Sequence, residues 1–164
     1  MWMLLLSLLP TCYLPPVAAP IVVPFEAPAC PFCPGQRGLE YELSPGTPVR
    51  AAAPGVVTFA GIVVGVRYVV VRHDDSNSAT YGMLRRSELA AGDRVAAGAV
   101  VGSASDRLYF GLKRPDGEPL DPTGLLAVAT RRARLIPTDG TPWRPATQRL
   151  PSCPASVPRG GSPR

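Results

Sequence analysis

Ala91-Gly92-Asp93-Arg94-Val95-Ala96-Ala97-Gly98-Ala99-Val100-Val101-Gly102 is the stretch on which the fold is decided. Gly92-Asp93 reads as a tight turn that sends a small-residue strand, Val95 to Gly102, back into a core. Gly98 and Gly102 relieve the corners where a strongly curved sheet would otherwise clash. On either side lie other short β-prone runs: Val49 to Ala53, Val56 to Val64, Arg67 to Arg72, Ala79 to Met83 and Leu108 to Lys113. Turn signals separate them, at Pro45-Gly46, Pro54-Gly55, Asp74-Asp75-Ser76-Asn77 and Pro115-Asp116-Gly117. Short strands at such spacing predict an all-β, antiparallel sheet system.

Composition agrees with that class. Of 164 residues 46% are apolar, enough for a core, while 21 Pro and 16 Gly exclude long helices. The net charge of +5 is spread along the chain instead of forming one run, so no track for a nucleic-acid duplex is expected. A weak contact with an anionic surface fits better, through the basic, Pro-rich tail of residues 127–164 with its Arg131-Arg132-Ala133-Arg134 cluster. That tail is too poor in apolar side chains to order itself and is expected to be mostly disordered.

Residues 1–19 read as an export signal. Trp2 to Leu9 form an apolar run too short to span a bilayer, and Val17-Ala18-Ala19 offers small residues for a signal peptidase. Leu9-Pro10-Thr11-Cys12 has some likeness to a lipoprotein cleavage box, with Thr11 where a smaller residue is expected. Residues 20–34 form a Pro-rich arm carrying Cys30-Pro31-Phe32-Cys33, and residues 35–126 are the expected folded domain. With Cys12 assigned to the signal, Cys30, Cys33 and Cys153 remain. A redox pair would need a helix start, and Pro34-Gly35 follow instead. A zinc site completed by His73 has an acceptable ligand count, but an oxidising exterior favours disulfides, within the arm or from the arm to the tail.

Several motifs then occur in order. Ser44-Pro45-Gly46-Thr47-Pro48-Val49-Arg50-Ala51-Ala52-Ala53-Pro54-Gly55 comes first, followed by Val69-Val70-Val71-Arg72-His73 and Thr80-Tyr81-Gly82-Met83-Leu84. The Ala91 to Gly102 stretch, Arg107-Leu108-Tyr109-Phe110-Gly111 and Pro119-Leu120-Asp121-Pro122 complete the series. Together they resemble the lysostaphin-type, LytM-like zinc endopeptidases of peptidase family M23. The resemblance implies a compact antiparallel sandwich with an open groove, in a secreted or cell-envelope protein whose partner is peptidoglycan or a cell-wall hydrolase. A Gly-Asp turn before a small-residue strand also appears in biotinyl and lipoyl carrier domains, but Lys113, the only lysine, lacks the flanking residues of their attachment site.

At each site position the chain departs from the family. Gln36-Arg37-Gly38-Leu39-Glu40 stands where the family has His-x-Gly-x-Asp, so Gln36, Glu40 and Tyr109 fall on the metal-ligand positions. Met83 and Arg107 fall on those of the histidines that handle the attacking water. The whole sequence holds one histidine, His73, so the family's set of two His ligands, a carboxylate and a further His cannot be assembled. His73 itself reads as structural, at the end of a strand. No catalytic residue and no cofactor are therefore expected, and the resemblance implies a non-catalytic module. Its groove candidates are Gln36, Glu40, Tyr41, Tyr81, Arg107 and Tyr109. The alternative is a zinc metalloendopeptidase with an atypical ligand set. Strand alternation places Arg107 and Tyr109 on one face and Leu108 and Phe110 in the core. Convergence of the family's ligand positions would bring the Arg107 guanidinium beside the Glu40 carboxylate, where it replaces the metal as counter-charge.

Overall fold

A computed structural model describes residues 12–30 and 33–127. Residues 1–11 of the expected signal, Cys153 and the tail from residue 128 onward lie outside the described residues.

The fold is all-β and antiparallel. Its nine strands are β1 (Ile21–Val23), β2 (Leu39–Glu42), β3 (Pro48–Arg50), β4 (Gly55–Val63), β5 (Val66–His73), β6 (Ser78–Arg86), β7 (Arg94–Val95), β8 (Val100–Lys113) and β9 (Pro119–Leu120). They form one sheet in the order β1-β2-β8-β6-β5-β4-β7, with β3 and β9 paired to β8. Each β-rich run alternates between the core and the outside, so one face collects Leu39, Val69, Val71, Leu108, Phe110 and Leu112, all fully buried.

β8 corrects the expected strand boundaries. The run Val95 to Gly102 is not one strand: Gly98 turns at φ +78, separating β7 from β8. From Val100 the chain then continues unbroken to Lys113. Ser103 to Asp106 fall between the two β-prone runs read from the sequence, and their side chains are small or polar. They belong to the strand because partners lie alongside: Ser103 pairs with Pro48 of β3 and with Arg86 of β6, and Ala104 with Leu84. Pairing rather than propensity decides such a segment.

Residues ahead of the expected domain also pack against it. The expected domain starts at residue 35, yet Tyr13 and Val17 are core residues, Tyr13 with no exposure at all. The backbone between them is tied down on both sides. Tyr13 N–H donates to Leu125 O, Ala127 N–H to Tyr13 O, Leu14 N–H to Ala52 O and Arg50 N–H to Pro16 O. The Tyr13 hydroxyl donates to Asp75 and accepts from the Asn77 amide. Residues 12–19 of the expected signal thus lie against the core of the domain. The arm is likewise not free of structure. β1 lies between Pro20 and Pro24 and pairs with β2 at the sheet edge, the place where proline-flanked strands are tolerated. Within the arm Cys30 is bonded to Cys33, and Cys12 is disulfide-bonded too.

His73 ends β5, 4% exposed, with its ring 5.4 Å from that of Tyr13 and Nδ1 3.0 Å from Pro54 O. Burial lowers its pKa, outweighing the backbone carbonyl and the nearby Asp75 and Asp74 carboxylates, and Nε2 has no hydrogen-bond partner. The native state therefore binds this proton less readily than the unfolded chain. The stability this contributes is present above the unfolded value of about 6.5 and is lost as pH falls below it through the lowered folded value. Chemical denaturation at pH 7.5 and pH 5.5 is expected to show a lower unfolding free energy at the acid value, with the difference reduced in His73→Phe. Tyr13→Phe is expected to cost about 1 kcal/mol by loss of its hydroxyl bonds, and Tyr13→Ala about 3–5 kcal/mol by opening the core. Equal stability of Tyr13→Ala and the parent would show that the strap does not belong to the cooperative unit.

Candidate functional site

The groove is built on the outward face of β2, β8 and β6. β8 pairs with β2 from Arg107 to Phe110, placing Glu40 opposite Tyr109 and Glu42 opposite Arg107. Against β6 the register jumps: Gly82 faces Tyr109, but Leu84 faces Ala104. Between those pairs β8 departs from β6, and Met83 occupies the gap in a left-handed conformation, φ 60°, uncommon for a residue with a side chain. The Ser105 hydroxyl holds it there by donating to Met83 O at 2.8 Å.

Glu40 is the polar centre of this face. Its Oε2 accepts from Arg107 Nη1 at 3.0 Å and its Oε1 from Gln36 Nε2 at 3.1 Å. The side chain of Glu40 is 15% exposed and that of Arg107 is 50% exposed, so the carboxylate is sheltered while the guanidinium reaches solvent. Three of the residues singled out from the sequence thus converge by direct contact.

Tyr109 lies beside them on a floor of glycines. A Cβ at Gly38 would come within 2.8 Å of the Tyr109 ring and 2.5 Å of Phe110 O, and one at Gly111 within 2.7 Å of the Tyr109 hydroxyl. Tyr68 does the same over Gly82, where a Cβ would lie 2.6 Å from its ring. Burial raises the Tyr109 pKa, and Tyr68 and Glu40 add to that while Arg37 opposes it, so Tyr109 is a neutral hydroxyl at ordinary pH. Tyr68 did not emerge from the motifs. The signal that could have found it is its alternation with the buried Val69 in β5, which turns it to the groove side.

Two other groove candidates are misplaced. Tyr41 is 2% exposed, on the core side of β2, and burial pushes its pKa up to about 12. Its neighbour Glu40 takes the groove face, and alternation forbids both from sharing it. Tyr81 is fully buried and its hydroxyl accepts the Ala52 N–H at 2.7 Å, tying β6 to the turn before β4. Tyr41 and Tyr81 are architectural residues.

Residues 34–122 match the model of the family described as peptidase family M23. The chain belongs to peptidase family M23. A curated Haemophilus influenzae protein, described as an uncharacterized protein, is 34% identical to it over 96 residues, 54% of this chain and 23% of that protein. The chain therefore spans about a quarter of the length of this relative. Among solved structures, Helicobacter pylori Csd3 superposes with a TM-score of 0.63 at 22% identity, over 75% of this chain and 37% of that one. A mutant of the catalytic domain of the prophage-encoded M23 protein EnpA from Enterococcus faecalis gives 0.53 at 27% identity, over 66% and 94%. The antiparallel fold inferred from the turn and strand pattern is the fold of these M23 proteins.

Of the side chains at the positions that the motifs align with the family's ligands, Glu40 is an ordinary zinc donor, whereas Gln36 and Tyr109 are not. The carboxylate of Glu40 is bonded to a cation. Among the described residues no three His, Cys, Asp or Glu side chains are grouped so as to hold a metal ion. Because Arg107 is half in solvent, its pair with Glu40 is screened. A double-mutant cycle of Glu40→Gln and Arg107→Ala is expected to give a coupling of about 0.2–1 kcal/mol by thermal or urea unfolding. A coupling several times larger would mean that the pair is desolvated.

Proposed function

We propose that this M23 domain is exported to the cell envelope and binds peptidoglycan stem peptides, or a wall hydrolase, without cutting the wall. The ion pair between Glu40 and Arg107 carries the reading, because it sets a guanidinium where the aligned motifs put the family's metal site. An added cation would meet that guanidinium's charge and a site with one carboxylate donor, so the residues present do not fit zinc. Without a metal to polarise a carbonyl or acidify water, the groove retains recognition chemistry. Arg107 spends one donor on Glu40 and has others for a carboxylate or peptide carbonyl. The neutral Tyr109 hydroxyl and the Tyr68 ring offer a hydrogen bond and a flat apolar surface beside it.

Two measurements on the full-length protein test this. Metal analysis is expected to find far less than about one zinc per chain, with no rise in melting temperature on adding zinc, since an ion that does not bind the native state cannot stabilise it. Co-sedimentation with purified peptidoglycan, set beside pulldown from envelope extract, is expected to show retention that Arg107→Ala and Tyr109→Ala weaken in whichever assay holds the partner. Stoichiometric zinc together with chelator-sensitive cleavage of wall peptides would overturn the proposal in favour of a metalloendopeptidase.

A further inference from the structure

β4 forms one edge of the sheet, and most of that edge is open. β7 covers it at Gly55 and Val56, and the turn before β7 adds backbone bonds at Val57. From Thr58 to Val64 no strand lies alongside on the outer side among the described residues. Sheet edges are ordinarily guarded by lysines, prolines or inward charges. This one has a register irregularity at Thr58 but neither charge nor proline: Gly55-Val56-Val57-Thr58-Phe59-Ala60-Gly61-Ile62-Val63-Val64-Gly65-Val66 contains no charged residue and no proline. Its apolar side chains face solvent, with Phe59 40%, Ile62 60%, Val63 49% and Val64 96% exposed.

Register identifies which backbone groups are unpaired. Val63 faces Val66 across the two-residue turn Val64-Gly65, and a pair flanking such a turn exchanges both of its hydrogen bonds. Alternation then makes Gly61 with Tyr68 the next bonded pair, so the N–H and C=O of Ala60 and Ile62 point away from β5. Val64, at φ 48° in the two-residue turn that calls for positive φ at both central positions, is almost wholly exposed.

We infer that the Thr58–Val64 edge pairs antiparallel with the same edge of a second copy of this chain, forming a two-fold dimer with a continuous sheet. The open stretch is self-complementary about Gly61. With Gly61 facing its own copy, Ala60 lies opposite Ile62 of the second chain, and the outward backbone groups of both satisfy one another in two bonded pairs. In the same register Phe59 lies opposite Val63, an aromatic and β-branched pair of the kind that stabilises sheets. The partner strand ends at its own turn where β7 begins, so neither chain obstructs the other. An edge without charge has no use for a charged ligand, and a lipid surface would leave the Ala60 and Ile62 backbone groups without partners. A single strand pair buries less than the roughly 800 Å² per partner of a standard interface, so the dimer is weak, with a dissociation constant on the order of tens of micromolar.

Sedimentation equilibrium of the full-length protein, from about 1 µM to about 1 mM, brackets that range. The parent is expected to pass from monomer to dimer, and Ile62→Lys to raise the dissociation constant about tenfold or more by setting a charge against each partner strand. Val100→Lys, an apolar-to-charged change at another exposed valine, is expected to leave it unchanged. Hydrogen exchange on the parent needs no substitution: the Ala60 and Ile62 amides are expected to slow at high concentration while the exposed turns do not. A monomer throughout, a dimer indifferent to Ile62→Lys, or unchanged exchange at Ala60 and Ile62 would each overturn the inference.

Discussion

Every part of this fold depends on the backbone pairing of β8. The strand bonds to β3 at its start, to β2 and β6 along its length and to β9 at its end, so four strands take their register from it. Alternation along that backbone has two consequences at once. Leu108, Phe110 and Leu112 close the core on one side, while Arg107 and Tyr109 project on the other. Core and groove are opposite faces of one ladder, and a slip of one residue would exchange them. β8 shifts register against β6 beside Met83 without breaking as a strand.

The second constraint comes from the N-terminal strap. Tyr13 bridges distant parts of the chain: its backbone pairs beside Leu126, its ring packs on His73, and its hydroxyl engages Asp75 and Asn77. One residue, through its backbone and its side chain, thereby closes the turn after β5 and the end of the described chain against the same core. The disulfide-bonded Cys12 precedes it directly, so a covalent tie is set next to a packed one. Both links reduce the freedom of a segment that has no regular strand of its own.

At the groove, charge balance decides the chemistry that the proposed function attributes to the chain. A carboxylate sheltered to 15% exposure needs a positive partner, and here the sequence supplies Arg107 for that role. A guanidinium differs from a metal ion in what it leaves available. It has directional donors for a ligand but does not accept electron pairs, and so it serves recognition rather than activation of water. The tyrosines on their glycine floor extend the same surface with neutral groups.

Turn chemistry and alternation were enough to place β4, β5 and β6 within a few residues and to send Leu108 and Phe110 inward. These rest on local pattern, period two and a Gly-Asp or Pro-Gly turn, whereas Glu40 beside Arg107 was expected from the resemblance of the motifs to the family. The sequence by itself also determined that one histidine is available, a count that no folding can change. Tertiary structure decided the rest. Whether Ser103 to Asp106 form a strand depended on the neighbours that bond to them. Tyr41 and Tyr81 looked like groove residues as aromatic hydroxyls near the motifs, and became core residues because alternation in their strands turned them inward. The strap at Tyr13 was hidden by composition, since an apolar stretch ahead of small residues satisfies the pattern of a leader and of a core segment alike. The packing of Tyr13 between His73 and Leu126 is visible only after distant strands have come together.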